Sequence, residues 1–336
     1  MKKKDVINII ILLIILTVGW YLYQNRKHSI SKTQFGMDTI IEITAVGKDA
    51  DRIEKAIDEA FELIEMYEQK FSYYREDSEL WELNHAEQVS HQIDEEFYQI
   101  LELAYDFFLQ TDSLYDVTIG NLIELWDIDI QSIPTAQQIE AAKQTQGMEK
   151  IEFDRNRLNK PQDMKIHLGS IAKGYVIDRV VELLKEKEIF AGVVNAGGDI
   201  YIFGYDNPLR VGIQHPRSQK NEIIGVLSIN DMAVVTSGDY ERYFEIDSER
   251  YHHIIDPHTG YPAKPTVAVT ALAPQAIYAD VLSTALFVMQ PQEAIKLVDS
   301  IPDAEAIIHY QNENGIEYLM SDGLEKYLEE LYEESD

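Results

Sequence analysis

The sequence contains no cysteine. Disulfides, thiolate nucleophiles, cysteine zinc sites and a lipidated N-terminal cysteine are therefore excluded. Basic residues are scarce as well: 29 Lys and Arg stand against 59 Asp and Glu, a formal net charge of −30 at pH 7. Such a surface repels a phosphate backbone, which argues against nucleic acid as a partner. Any phosphate-bearing ligand must then be met by local positive charge or by a metal ion. No fixed-period repeat and no low-complexity linker interrupts residues 35–325.

What the chain does have is ample length and an ordinary globular balance: 336 residues, 45% hydrophobic and 26% charged. That length suits one large domain or two small ones. The leading segment is different. Residues 6–23, VINIIILLIILTVGWYLY, form an uncharged apolar run behind Lys2, Lys3 and Lys4, with Trp20, Tyr21 and Tyr23 at its far end. Eighteen such residues just suffice to span a bilayer, and the aromatics fall where an interfacial belt would lie. A cleaved signal peptide competes with this reading, but no small-residue cleavage pattern follows Tyr23. The expected organisation is a cytoplasmic stub at 1–5, a transmembrane anchor at 6–23, a linker at 24–34, an extracytoplasmic domain at 35–325, and an acidic tail at 326–336 that frays from a helix. The absence of cysteine fits that location.

Within the domain, residues 39–46 read as a strand. Residues 50–71 place Ile53, Ile57, Ala60, Phe61, Ile64 and Tyr67 at helical spacing. Further helices are expected near 79–84, 94–108, after Pro134-Thr135, at 175–187, 277–289 and 293–300. Strands are expected at 164–168, 191–195, 209–213, 223–229, 232–236, 252–255 and 267–273, with two more near Ala306 and Tyr318. Helices in runs and strands in runs predict an α+β fold with mixed or antiparallel sheets flanked by helices.

The stretch 251–262, YHHIIDPHTGYP, is where chemistry is concentrated. Pro257 and Pro262 exclude helix and Gly260 permits a left-handed turn, so a strand should end there in a rigid loop. His252 and His253 would then face opposite ways. A histidine so placed is either a proton acceptor near neutral pH or a buried ring bonded to a neighbour. Other stretches are equally two-sided. Asp280 and Thr284 share one face of an otherwise apolar helix, as hard oxygen ligands for Mg²⁺ or Ca²⁺ or as a capping carboxylate and a back-bonded hydroxyl. Residues 169–174, GSIAKG, join a strand to a helix without Walker spacing; small residues there let amides approach an anion, with Lys173 adding charge, or simply relieve crowding. NAGGD at 195–199 and TSGDYERY at 236–243 read as turns.

In their order along the chain these stretches resemble the ApbE family of FAD:protein FMN transferases. The segments that carry the resemblance are GMDT at 36–39, YDVTIG at 115–120, LGSIAKGY at 168–175, NAGGDI at 195–200, TSGDYERYF at 236–244, HIIDPHTGYP at 253–262 and ADVLSTALFVM at 279–289. It spans about residues 35–320. The resemblance implies a bound FAD, a Mg²⁺ ion, and transfer of the FMN half onto a Thr or Ser hydroxyl of an acceptor protein, with AMP leaving. It places the metal on Asp280, Thr284 and the main-chain oxygen of Ser170. It places flavin-nucleotide contacts at Met37, Tyr74, Tyr115, Asp116, Val117, Lys173 and Ile254, and the catalytic base at His253. Chemically this is coherent: breaking a pyrophosphate needs its negative charge stabilised, and a hydroxyl nucleophile needs a base.

Two positions depart from the family pattern. His167 stands where Asp is usual before Leu-Gly; an Asp accepts a hydrogen bond from the cofactor, whereas His accepts only through an unprotonated nitrogen. Asp38 stands where Gly is frequent. The same metal and base would also serve a Mg²⁺-dependent FAD pyrophosphatase, with water replacing the protein hydroxyl. A flavin-binding protein without turnover is the third possibility, and a storage site needs no base at His253.

Overall fold

The structure is a computed structural model that describes residue 4 and residues 11–17, 26–217 and 222–332. Most of the expected anchor at 6–23 lies outside the described residues. Its residues 11–17 are helical and exposed, and among the described residues no helix is long and apolar enough to cross a membrane.

The chain opens with β1 (His28–Gly36), β2 (Thr39–Gly47), α1 (Ala50–Phe71), α2 (Glu79–His85), β3 (Ser90–Gln92), α3 (Glu95–Gln110), α4 (Gly120–Leu125) and α5 (Ala136–Lys143). Next come β4 (Glu152–Asp154), β5 (Arg157–Asn159), α6 (Ala172–Glu186), β6 (Ala191–Ala196), β7 (Asp199–Phe203), β8 (Leu209–Gln214), β9 (Ile223–Ile229) and β10 (Met232–Gly238). It closes with β11 (Tyr243–Ile246), β12 (Glu249–His252), β13 (Thr266–Ala273), α7 (Ala276–Val288), α8 (Pro291–Asp299), β14 (Glu305–Asn312), β15 (Gly315–Met320) and β16 (Leu328–Leu331).

Eight strands form one antiparallel sheet in the order β1-β2-β6-β7-β10-β13-β14-β15. Alternation along its central strands splits the core in two, because successive side chains point to opposite faces. Phe203, Val235, Ala271 and Ile308 face the helices, where α1, α6 and α7 pack. Their neighbours Ile202, Val234, Leu272 and Ile307 face a small sheet, β16-β9-β8, through Ile213, Leu227 and Ile229. This makes three layers and leaves β13 buried along its whole length. Each large aliphatic side chain buried in this way contributes about 1.5–3 kcal/mol.

Helix α1 matches its expected bounds. Asp49 caps it by accepting from the backbone N–H groups of Asp51 and Arg52, and the stripe from Ile53 to Phe71 is buried.

Four expectations need correction. Most of the supposed linker at 24–34 belongs to β1, an edge strand whose Ser, Lys and Thr side chains meet no core. The acidic tail is not a frayed helix at its start: β16 pairs with β9, and Glu329 and Glu330 reach Arg210 at 2.9 and 3.0 Å. Residues 164–168 are extended but form only a bridge from Lys165 to Ile119. Their polar backbone is satisfied instead by the Asn84 amide on both sides of Ile166 (2.7 and 2.8 Å) and by the Val117 carbonyl accepting from His167 N (2.7 Å). Finally, the strand expected at 252–255 ends at His252.

Candidate functional site

A cavity of about 420 Å³ opens on the helix side of the sheet and collects loops from distant parts of the chain. At one rim is the β1–β2 hairpin. Gly36 pairs with Thr39, leaving Met37 and Asp38 as a two-residue turn with φ of 50° and 59°. Both central residues of such a turn need positive φ, which explains why glycine suits position 38 and why aspartate, which tolerates that region, can replace it. Met37 N donates to Glu68 Oε2 at 3.0 Å, fixing the turn on α1.

Of the sequence-predicted residues, Met37, Tyr74, Tyr115, Asp116, His167, Ser170, Lys173, His253, Ile254, Asp280 and Thr284 all line this cavity. Val117 does not. Its side chain is buried in the helix-side core, and its carbonyl is committed to His167 N.

The two histidines divide the alternatives left open by the sequence. His252 is the structural one. Its Nε2 donates to the Ala263 carbonyl (3.0 Å) and its Nδ1 accepts from Ile254 N (3.3 Å), so both nitrogens are used inside the protein. His253 turns to the cavity, and its Nδ1 lies 3.2 Å from the carbonyl of Arg242. A carbonyl only accepts, so Nδ1 carries the hydrogen and Nε2 keeps its lone pair. Burial, with help from His252, Arg242 and Lys173, lowers the pKa of His253 to about 3, so the ring is neutral.

Opposite lies a carboxylate cluster. Asp280 sits one turn into α7 and accepts from Gly174 N at 2.8 Å. The two helix starts approach so closely that a Cβ on Gly174 would lie 2.4 Å from the Ala276 carbonyl oxygen. Asp178 of α6 completes the junction by accepting from Ala276 N (2.7 Å) and Ile277 N (2.9 Å), the first free donors of α7. The hydroxyl that bonds back to the Asp280 carbonyl is that of Ser283 (2.8 Å), not that of Thr284. The Tyr115 hydroxyl donates to the Ser170 carbonyl at 3.3 Å and shares a hydrogen bond with Ser170 Oγ at 3.0 Å.

Lys173 pairs with Asp199 at 2.6 Å. Burial opposes its charge, yet Asp199, Asp280 and Glu241 hold its pKa well above the usual lysine value. Conversely, burial raises Asp199, Asp280 and Glu241, with Asp199 adding to the rise at Asp280 and both aspartates adding to it at Glu241, which reaches about 7. Three carboxyl groups thus share one lysine. Among the described residues no three His, Cys, Asp or Glu side chains are gathered as a metal cluster. The surplus of negative charge, with a helical hydroxyl at Thr284 and a main-chain oxygen at Ser170 beside it, nevertheless suits a hard cation that takes mixed oxygen donors.

Asp199, Glu241 and Arg242 were not anticipated as cavity residues. Their motifs, NAGGD and TSGDYERY, read as turns, and the density of charge in the second was the available signal.

The ApbE family model matches residues 37–308. A Klebsiella pneumoniae protein named FAD:protein FMN transferase is 30% identical over 296 residues, covering 86% of this chain and 90% of that protein. A Haemophilus influenzae protein of the same name is 30% identical, covering 97% of this chain and 99% of its own. Among solved structures, the ApbE protein of Thermotoga maritima superposes with a TM-score of 0.82 at 33% identity, over 90% of this chain and all of that one. The flavin transferase ApbE of Vibrio cholerae gives 0.80 at 25% identity, with the same coverage.

Proposed function

The chain belongs to the ApbE family, and from that premise we propose that it is an FAD:protein FMN transferase whose cavity binds FAD and passes the FMN half to a Thr or Ser hydroxyl of an acceptor protein. One observation carries the chemistry: a neutral imidazole, whose Nε2 has no partner among the described residues, shares a cavity with the oxygen donors Asp280, Thr284 and Ser170. The acceptor oxygen attacks the FMN phosphorus, the pyrophosphate P–O bond breaks, and AMP leaves. The proton of the acceptor hydroxyl goes to His253 Nε2.

With a pKa near 3 the resting imidazole is a feeble base. Two phosphate charges entering the cavity favour the imidazolium and raise that value, so base strength arrives with the substrate. Asp280, Thr284 and the Ser170 carbonyl are the residues that would hold Mg²⁺, which when bound supplies charge stabilisation to the phosphates. The Arg242 carbonyl holds the base in its tautomer, and the ring of Tyr115 walls the cavity over Ser170.

The test is incubation with FAD, Mg²⁺ and an FMN-binding acceptor domain, read by intact mass. Gain of one FMN on the acceptor is expected; free FMN and AMP without adduct would replace transfer by FAD hydrolysis. His253→Ala is expected to keep FAD binding while losing transfer by a hundredfold or more, the order of general-base contributions. Undiminished transfer would remove His253 from its role.

The apolar run at 6–23 behind three lysines supports a membrane anchor with the domain outside the cytoplasm. Protease added to spheroplasts should digest the domain; protection until lysis would reverse that placement.

A further inference from the structure

We propose that His167 is a hydrogen-bond donor to the bound dinucleotide, selecting an acceptor atom, a carbonyl oxygen or unprotonated ring nitrogen, on the edge of a flat heteroaromatic ring seated beside Tyr73 and Tyr74. This rests on the reading that FAD occupies the cavity.

The donor character follows from the local backbone. His167 N is tied to the Val117 carbonyl at 2.7 Å, and the preceding Ile166 is held on both sides by Asn84, so the ring's position is set. Two residues on, Gly169 N lies 3.2 Å from His167 Nδ1. A backbone N–H only donates, so Nδ1 is the lone-pair nitrogen. The ring packs directly over Gly169, where an added Cβ would come within 2.5 Å of its Cε1. Burial, reinforced by Arg242, keeps the imidazole neutral with a pKa of about 4. A neutral ring with a bare Nδ1 carries its one hydrogen on Nε2, and among the described residues no group accepts that hydrogen.

The walls fit a planar ligand. The rings of Tyr73 and Tyr74 stand 4.7 and 6.3 Å from the imidazole, tilted 54° and 73° to it. The Tyr73 hydroxyl is spent on Glu124 at 2.9 Å, and Glu124 is fixed in turn by Lys165. Tyr73 therefore offers a ring face and no free polar group, and the polar donor beside it is His167 Nε2, with the Tyr74 hydroxyl and Arg242 further along the wall. A carboxylate at this position, which the family pattern leads one to expect, would select a donor on the ligand. The imidazole selects the opposite.

The experiment uses the purified chain with FAD and Mg²⁺ and reads dissociation constants by quenching of flavin fluorescence. His167→Gln keeps a donor and should bind within about threefold of the native protein. His167→Asp offers only acceptors and should bind at least about tenfold more weakly, the scale of one lost hydrogen bond. Equal or tighter FAD binding by His167→Asp would overturn the proposal. Nitrogen-15 spectra of the native protein without FAD give an independent check: a protonated Nε2 is expected for His167, and a protonated Nδ1 would refute it. If FAD binds in this pattern but no acceptor gains FMN, the transferase reading fails and the role of His167 stands.

Discussion

Lys173 is the cation that acts on Asp199, Asp280 and Glu241 together. Removing one partner of a buried pair costs more than removing both, because the survivor is left as an uncompensated charge. Lys173→Met should therefore destabilise the protein by about 3 kcal/mol in urea unfolding. Adding Asp199→Asn to it should restore part of that loss. A double variant no more stable than the single one would show that the ion pair does not hold the cluster. At this scale the sequence was legible where a motif fixed identity and silent where a partner lies far along the chain. HIIDPHTGYP singled out His253, but the tautomer that leaves its Nε2 lone pair bare depends on a carbonyl eleven residues earlier, on a loop that read as a turn. Val117 shows the reverse error: its neighbours Tyr115 and Asp116 reach the cavity, but the chain turns at Val117, and its side chain is buried in the core.

The element that positions the candidate cation site is α7, and its N-terminus has no cap of its own. Gln275 makes no side-chain bond there, and Asp178 of α6 takes the two first donors instead. A capping carboxylate is worth about 1–2 kcal/mol, and this one also sets where Asp280 begins its turn of helix. Asp178→Ala should lower stability by that amount and weaken Mg²⁺ dependence of transfer, although Asp178 does not line the cavity. A loss of stability with unchanged Mg²⁺ dependence would confine Asp178 to capping. The helices were the legible elements because their buried stripes repeat at helical spacing, as in α1 from Ile53 to Phe71. Strands failed where no face is buried: β1 has only half-exposed and exposed positions before Gly36, and β16 carries Glu329 and Glu330 between its leucines. Residues 164–168 have a strand's alternation, but a side-chain amide takes the place of the neighbouring strand, and nothing local records that substitution.

For the whole molecule, charge governs how ligand reaches the cavity. The chain carries a formal −30, and the diphosphate of FAD brings two more negative charges toward it. At long range the sum repels; inside the cavity Lys173 and Arg242 act over a few ångströms. Salt separates the two ranges, because the screening length falls from about 30 Å at 0.01 M to about 10 Å at 0.1 M, while contacts within a partly buried cavity are screened much less. Raising NaCl across that interval at constant Mg²⁺ should therefore speed FAD association by about twofold or more, the opposite of what an attractive surface would give. Stopped-flow flavin fluorescence without acceptor measures this directly. Riboflavin, which lacks the phosphates, supplies the control and should associate at a rate indifferent to salt. Association of FAD that slows as salt rises would mean that local positive charge at the cavity mouth outweighs the acidic surface, and that Arg242 and Lys173 steer the ligand in from solution rather than only holding it once it has arrived.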